Sequence, residues 1–188
     1  MSFHHDPIYP SRRSPVFGDN LVSTSHPLAA QAGITVLREG GNAVDAAIAA
    51  AGVLTVVEPT GNGLGSDAFC VLWDGETLHG LNASGAAPAG WTPERFAGMD
   101  KMPFRGWGSV TVPGAVSAWC ALNKRFGRRD LSSLLEDAAH YAETGFIVTP
   151  VIGELWRRGA VTLCDQPGFA KTFMPNGRAP RPGERFYN

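Results

Sequence analysis

Apolar residues recur at helical spacing from Leu28 onward, with Ala29, Ala32, Val36 and Leu37 on one stripe, until Gly40-Gly41 stops the run. Pro27 suits the first position of that helix, where its missing N–H is not needed. Asn42 then offers a capping oxygen, Asp45 falls at the positive end of the next helix, and Ala43 to Val57 is apolar on nearly every side. This second helix is predicted to be buried, with Ala47, Ala50, Ala51 and Gly52 as close-packing surfaces. Glu58-Pro59 ends it, because the residue before a proline is pushed out of the helical region. Asp45 and a length short of the ~20 apolar residues a bilayer needs exclude a membrane span.

After Asp67 the period drops to two. Ala68 to Trp73 and Glu76 to Leu81 flank Asp74-Gly75, a two-residue turn of the kind hairpins favour. Phe69, Val71 and Trp73 share one face and Cys70 and Leu72 the other, so both faces are apolar and the sheet is predicted to be covered on each side by helices. Asn82 to Gly90 is small and flexible in composition, Pro93 opens a helix after Trp91-Thr92, 102–108 is loop, and 109–112 is a short strand or an extended segment. Helical spacing returns with Val116, Trp119, Cys120, Asn123 and Phe126 up to Gly127. It continues with Leu131, Leu134, Leu135, Ala138 and Tyr141 between an Asp130 cap and Gly145, and then with Ile152, Leu155 and Trp156 after Thr149-Pro150. Beyond Asp165 the signals weaken to a short helix within Pro167 to Phe173 and a turn at Pro175-Asn176-Gly177. Residues 1–20, polar and proline-rich, read as an extended lead-in to one domain over 21–188.

The 188 residues, 44% of them hydrophobic, suffice for one core. A net charge of −1, with no Lys/Arg run longer than a pair, gives no electrostatic case for nucleic acid or an anionic membrane as partner. The opening MSFHHDPIYPSRRSPVFG lacks the apolar core of a secretory signal, so a cytoplasmic location is expected unless a leader has been removed. Cys70, Cys120 and Cys164 suit neither a disulfide framework nor a zinc site and are expected to be reduced and mostly buried. The histidines show no ligand spacing, and no metal and no cofactor are expected. The loop Gly61-Asn62-Gly63-Leu64-Gly65-Ser66-Asp67 follows a helix, enters a strand, lacks a Gly-Lys-Ser/Thr ending and has Ser66 where a dinucleotide fingerprint needs its third glycine, which argues against nucleotide binding.

The runs Ser25-His26-Pro27-Leu28-Ala29, Gly40-Gly41-Asn42-Ala43-Val44-Asp45-Ala46, Val57-Glu58-Pro59 and the glycine loop, in that order and spacing, resemble the beginning of the large subunit of the gamma-glutamyltransferase (gamma-glutamyltranspeptidase) family. Val112-Pro113-Gly114 before a helix and Ala142-Glu143-Thr144-Gly145-Phe146 before Thr149-Pro150 extend the resemblance over nearly the whole chain after Ser14. It implies a mixed α/β (α+β) fold, an N-terminal-nucleophile hydrolase-like four-layer αββα sandwich of which this chain is an incomplete N-terminal part. It also implies acyl transfer from a small-molecule amide to water or an amine, by an autoprocessed precursor whose new N-terminal threonine attacks the carbonyl with its own α-amine as base. The rest of the large subunit and a small subunit are the implied partners. No threonine here matches that nucleophile, so no catalytic residue is assigned, and Pro180 to Phe186 resembles the lead-in to another helix.

Substrate binding is where the resemblance reaches into this chain. The family carries an arginine after the second hairpin strand, in an Asp-Gly-Arg-Glu-Thr-Ala-Pro-like run, whose guanidinium grips the donor's α-carboxylate. Here the run is Asn82-Ala83-Ser84-Gly85-Ala86-Ala87-Pro88, with Ser84 in the arginine's place. A neutral hydroxyl cannot neutralise a carboxylate, so either the acyl donor is not glutamyl, or another cation such as Arg95 or Arg105 replaces the missing one. Ser84, Asn82 and Asp67 are the candidate substrate-binding residues, Asp67 being open also to a turn-forming role. A catalytically silent relative that keeps the scaffold is the reading from another class.

Overall fold

A computed structural model gives the structure of residues 16–187, so the expected lead-in lies for the most part outside the described residues. The chain forms two compact units: one draws on the segments up to Asn62 and from Gly127 onward, the other is Gly63–Phe126.

In the first unit α1 (Pro27–Arg38) and α2 (Ala43–Val57) run as the sequence predicts. The cap of α2 is reciprocal. Asn42 Oδ1 accepts from the N–H groups of Val44 and Asp45, both at 3.0 Å, and Asp45 Oδ2 accepts from Asn42 N–H at 3.0 Å, a capping box with Asp in the usual Glu position. Asp45 is also fully buried and accepts from the Arg128 N–H through both oxygens, at 3.2 and 3.1 Å, tying the start of α2 to the chain 83 residues on. Gly52 earns its place by close packing, since a Cβ there would meet Leu135 Cδ2 at 2.7 Å. One face departs from expectation: Ala47 is exposed. Ala43, Ala47, Ala51 and Leu54, spaced along one stripe, floor an open groove of about 330 Å³ bordered by Leu21, Val22, Ser23 and Thr24.

The helix expected over 131–141 is broken in two, α4 (Leu131–Leu134) and α5 (Glu136–Thr144), because Leu135 takes φ −100° and ψ 1° and its N–H returns to Ser132 O three residues back. Asp130 precedes it without a side-chain cap bond. Gly145, at φ 74°, ends α5 and leads into a short strand, β3 (Phe146–Ile147). After α6 (Pro150–Leu163) and α7 (Phe169–Phe173), β4 (Arg185–Phe186) pairs antiparallel with β3, at the end of the 180–186 stretch read as a lead-in to a further helix. The turn before β4 is clipped by a bidentate Arg178–Glu184 pair at 2.9 and 2.8 Å, whose hydrogen bonds hold the Glu184 carboxyl down at about 2. Phe146, Phe186, Val148, Ile152 and Trp156 then pack with Val53, Val56, Val57 and Ala138 into one core. Trp156 is satisfied inside it by donating its Nε1–H to Phe173 O at 2.8 Å.

In the second unit β1 (Ala68–Trp73) has its expected bounds, but β2 is Leu78–Ala83, two residues later than predicted. The cause is Asp74. Its Oδ1 accepts from the Glu76 and Thr77 N–H groups and its Oδ2 meets His79 Nε2 at 2.7 Å, so the turn takes four residues. The Thr77 N–H, then His79, hold the Asp74 carboxyl well below its ordinary range. A shift of two preserves each side chain's face. Cys70, Leu72, His79 and Leu81 lie opposite Ala121, Leu122 and Phe126 of α3 (Ala115–Phe126). The other face is open, against the expectation of cover on both sides: Phe69, Val71 and Trp73 are 68%, 78% and 62% exposed, because within this unit helix packing reaches one side of the hairpin alone. Pro93 opens only a 3-10 turn (Pro93–Phe96), and 109–112 forms no strand. The cysteines are free, but Cys120 is exposed and the other two half-buried, so they are less sheltered than predicted.

Two outcomes follow. Asp45→Ala removes the carboxylate that accepts from the Asn42 and Arg128 N–H groups and is expected to cost about 3 kcal/mol or more, read as a lower urea midpoint, with Asp45→Asn less severe. An unchanged midpoint would mean water reaches the site. The isolated 188 residues are expected to associate through the open hairpin face, and Phe69→Lys with Val71→Glu to shift light-scattering mass toward monomer.

Candidate functional site

Three loops of the second unit are held together backbone to backbone where β2 ends and α3 begins. Asn82 Oδ1 accepts from Ser84 N–H at 3.0 Å, an Asx turn that bends the chain out of β2. Gly85 follows at φ 77°, a region L side chains avoid. The turn is fastened to residues 111–112, since Thr111 Oγ1 donates to Ser84 O at 3.1 Å and Val112 N–H to Ala86 O at 2.9 Å. From the glycine loop, Ser66 O accepts from both Gly114 N–H (3.1 Å) and Ala115 N–H (2.9 Å), supplying an acceptor for orphan donors at the start of α3. The approach is too close for side chains. A Cβ on Gly85 would lie 1.8 Å from Val112 O, and one on Gly114 would lie 2.1 Å from Ala83 O.

The turn after β2 and residues 112–114, with α3, line a cleft of about 770 Å³, to which the glycine loop contributes no residue. Its polar side chains are the Asn82 amide and the Ser84 and Ser117 hydroxyls, the last turned to Gly114 O at 2.7 Å, and the rest of the lining is Leu, Val, Pro, Ala and Gly. None of the lining residues carries a charge. Such a cleft can orient an amide or ester by hydrogen bonds but offers nothing to neutralise an anion. Of the three sequence candidates, Asn82 and Ser84 come together here, whereas Asp67 is exposed on the glycine loop and does not line the cleft. Neither Arg95 nor Arg105 lines it; the Arg105 guanidinium sits 5.7 Å from the ring centroid of its neighbour Phe104. Thr111, Gly114, Ser117 and the Ser66 carbonyl escaped sequence reading. Only Val112-Pro113-Gly114 before a helix hinted at them, since a helix start needs acceptors for its first N–H groups. Among the described residues no group of three or more His, Cys, Asp or Glu side chains could hold a metal, and no helix is long and apolar enough to cross a membrane.

The family model Gamma-glutamyltranspeptidase matches residues 29–188. The chain belongs to the gamma-glutamyltranspeptidase family. It is 40% identical over 169 residues to the glutathione hydrolase-like YwrD proenzyme of Bacillus subtilis (strain 168), covering 88% of this chain and 32% of that protein. It is likewise 40% identical over 171 residues to the oxamate amidohydrolase proenzyme of Klebsiella pneumoniae, covering 86% and 32%. The crystal structure of cephalosporin acylase from Bacillus halodurans superposes with a TM-score of 0.91 at 46% identity, over 100% of this chain and 37% of that one. The chain thus spans about a third of the length of the curated relatives it matches. Its helices and antiparallel strands are part of the N-terminal-nucleophile hydrolase fold expected from the sequence.

The interlocked glycines make a sharp expectation. Gly85→Ala combines a strained φ with a backbone clash and should cost more than about 3 kcal/mol, and Gly114→Ala a comparable amount. Urea midpoints, with hydrogen exchange at Val112 N–H, measure it; wild-type behaviour of either variant would mean the loops are not zipped as described.

Proposed function

We propose that the complete protein is an autoprocessed N-terminal-nucleophile amidohydrolase or acyltransferase of the gamma-glutamyltranspeptidase family whose acyl donor lacks the α-carboxylate of a gamma-glutamyl group. The observation that carries this reading is the uncharged lining of the cleft around Ser84. A gamma-glutamyl donor needs its α-carboxylate desolvated and paired. Asn82 and Ser84 offer hydrogen bonds without charge. The name of the Bacillus halodurans relative, cephalosporin acylase, fits acyl groups outside the glutamyl class.

In this scheme Asn82 and Ser84 hold and orient the acyl part of a small-molecule amide, on a backbone fixed by the Asx turn and by Thr111. Asp67, outside the cleft, serves the glycine loop as a turn residue. The nucleophile, its α-amine base and the oxyanion donors come from the remainder of the protein. That remainder also covers the open face of the hairpin. Two other readings stay distinguishable: a glutathione hydrolase in which Arg95 or Arg105 supplies the cation, and a silent scaffold.

The test compares kcat/KM for a gamma-glutamyl anilide and for a neutral acyl anilide, in wild type and Ser84→Arg, with precursor cleavage followed on a gel. Wild type should favour the neutral donor, and Ser84→Arg should raise glutamyl turnover by about ten- to hundred-fold, the worth of one charge-assisted hydrogen bond of about 1.5–3 kcal/mol. Efficient glutamyl turnover that ignores position 84 but falls with Arg95→Gln or Arg105→Gln would overturn the neutral-donor reading. A precursor that never cleaves itself would favour the silent scaffold.

A further inference from the structure

β2 and α3 lie along one seam of the second unit. The end of β2 and the start of α3 border the Ser84 cleft, while the start of β2 and the last turn of α3 meet around His79. Leu81 and Ala121 line both that cleft and a smaller cavity of about 110 Å³ beside His79, so the two ends of the seam are continuous. His79 bridges the seam. Its Nε2 meets Asp74 Oδ2 at 2.7 Å and its Nδ1 meets Arg125 Nη2 at 3.3 Å. Its ring lies 4.9 Å from that of Phe126, and the Arg125 guanidinium sits 4.8 Å from the same ring centroid.

These partners fix the tautomer. A carboxylate only accepts and a guanidinium only donates, so Nε2 carries the proton and Nδ1 is bare. The neutral ring thus uses both nitrogens, one toward each charge. A second proton has to go on Nδ1, where it faces an N–H with no lone pair to receive it, and the bond to Arg125 is lost. Asp74 keeps the imidazolium, since its carboxyl, held well below the ordinary range by the Thr77 N–H and then by His79, stays ionised. Cys70 of β1 is the other titratable side chain in the wall of the small cavity; Glu76 of the turn and Lys124 of α3 do not line it.

We infer that His79 is a positioning residue whose charge sets the fit of the acyl cleft: neutral, it latches the last turn of α3 to the start of β2, and protonated, it lets Arg125 go and slackens the wall that α3 gives the cleft. The release is local. Leu72 and Leu81 opposite Ala121 and Leu122 do not depend on charge, and the guanidinium can stay over Phe126. The effect on acyl transfer rests on the assignment of the Ser84 cleft proposed above, whereas the latch itself does not.

The experiment takes the full-length protein from about pH 8 to about pH 5, the interval in which histidine changes charge, and follows the His79 ring by long-range ¹H–¹⁵N correlation together with the Arg125 side-chain signals. In parallel, KM and kcat for the neutral acyl anilide are measured in wild type, His79→Gln and Arg125→Leu. A glutamine can donate to Asp74 and accept from Arg125 but does not titrate. The Arg125 signals should move with the midpoint of His79 protonation. Over the same interval KM should rise by about threefold in wild type and stay flat in His79→Gln and in Arg125→Leu, the latter at the raised value, while kcat keeps one pH profile in all three. Equal pH profiles of KM in wild type and His79→Gln would overturn the proposal. So would Arg125 signals that stay put when His79 is protonated, or release of Arg125 with KM unchanged. If the gamma-glutamyl anilide proves to be the donor turned over, it replaces the neutral one, and if the precursor is silent, a calorimetric Kd replaces KM, so failure of the proposed function is read separately from failure of the latch.

Discussion

A single carboxylate, that of Asp45, satisfies donors from two distant stretches of chain in the dry interior of the first unit. It accepts from Asn42 within its own helix cap and from Arg128 after an excursion of 83 residues. Burying an ionised carboxylate is costly unless every lone pair is used. Here backbone N–H groups and the positive end of α2 share the charge. The bond to Arg128 ties the start of α2 to the second segment of the first unit, which begins at Gly127. α2 can then present Val53, Val56 and Val57 to the core and Gly52 to Leu135.

The bounds of α1 and α2 were legible because every determinant is local: Pro27 at a first turn, Asn42 with Asp45, and Glu58 before Pro59. The two-residue error in β2 came from reading Asp74 as a turn former when its side chain was also capturing Thr77 and His79. β3 and β4 carry almost no local signal, being two residues each and paired across about forty positions, and they are held where Phe146 meets Phe186 and Phe186 meets Trp156 in the core. The break at Leu135 likewise answers to tertiary packing. Asp45 was visible as a helix-start residue, but its second partner is a backbone N–H, and backbone groups leave no mark in a sequence.

The site was legible to a different depth. Asn82 and Ser84 could be singled out because a familiar motif stops matching there, and the structure places both in one cleft. Asp67 attracted notice for its company among glycines, yet it is the neighbouring Ser66, through its carbonyl, that joins the glycine loop to α3. His26, noted in the sequence only as part of a motif and as a histidine without ligand spacing, caps α1 through Nδ1, and the unmet nitrogen on its other edge depends on burial that sequence does not display.

The glycine lock between residues 83–86 and 112–114 has a consequence for how such a protein can change over time. The turn that carries Ser84 is held by an Asn82 side chain, a Thr111 hydroxyl, main-chain bonds and two glycines, and the Ser84 side chain holds none of it. The side chain proposed to meet the acyl donor therefore supplies none of the hydrogen bonds that hold its own turn. A lineage can exchange arginine for serine at that one position and leave the ability to fold untouched, so that new chemistry is explored on an inherited frame, one codon at a time.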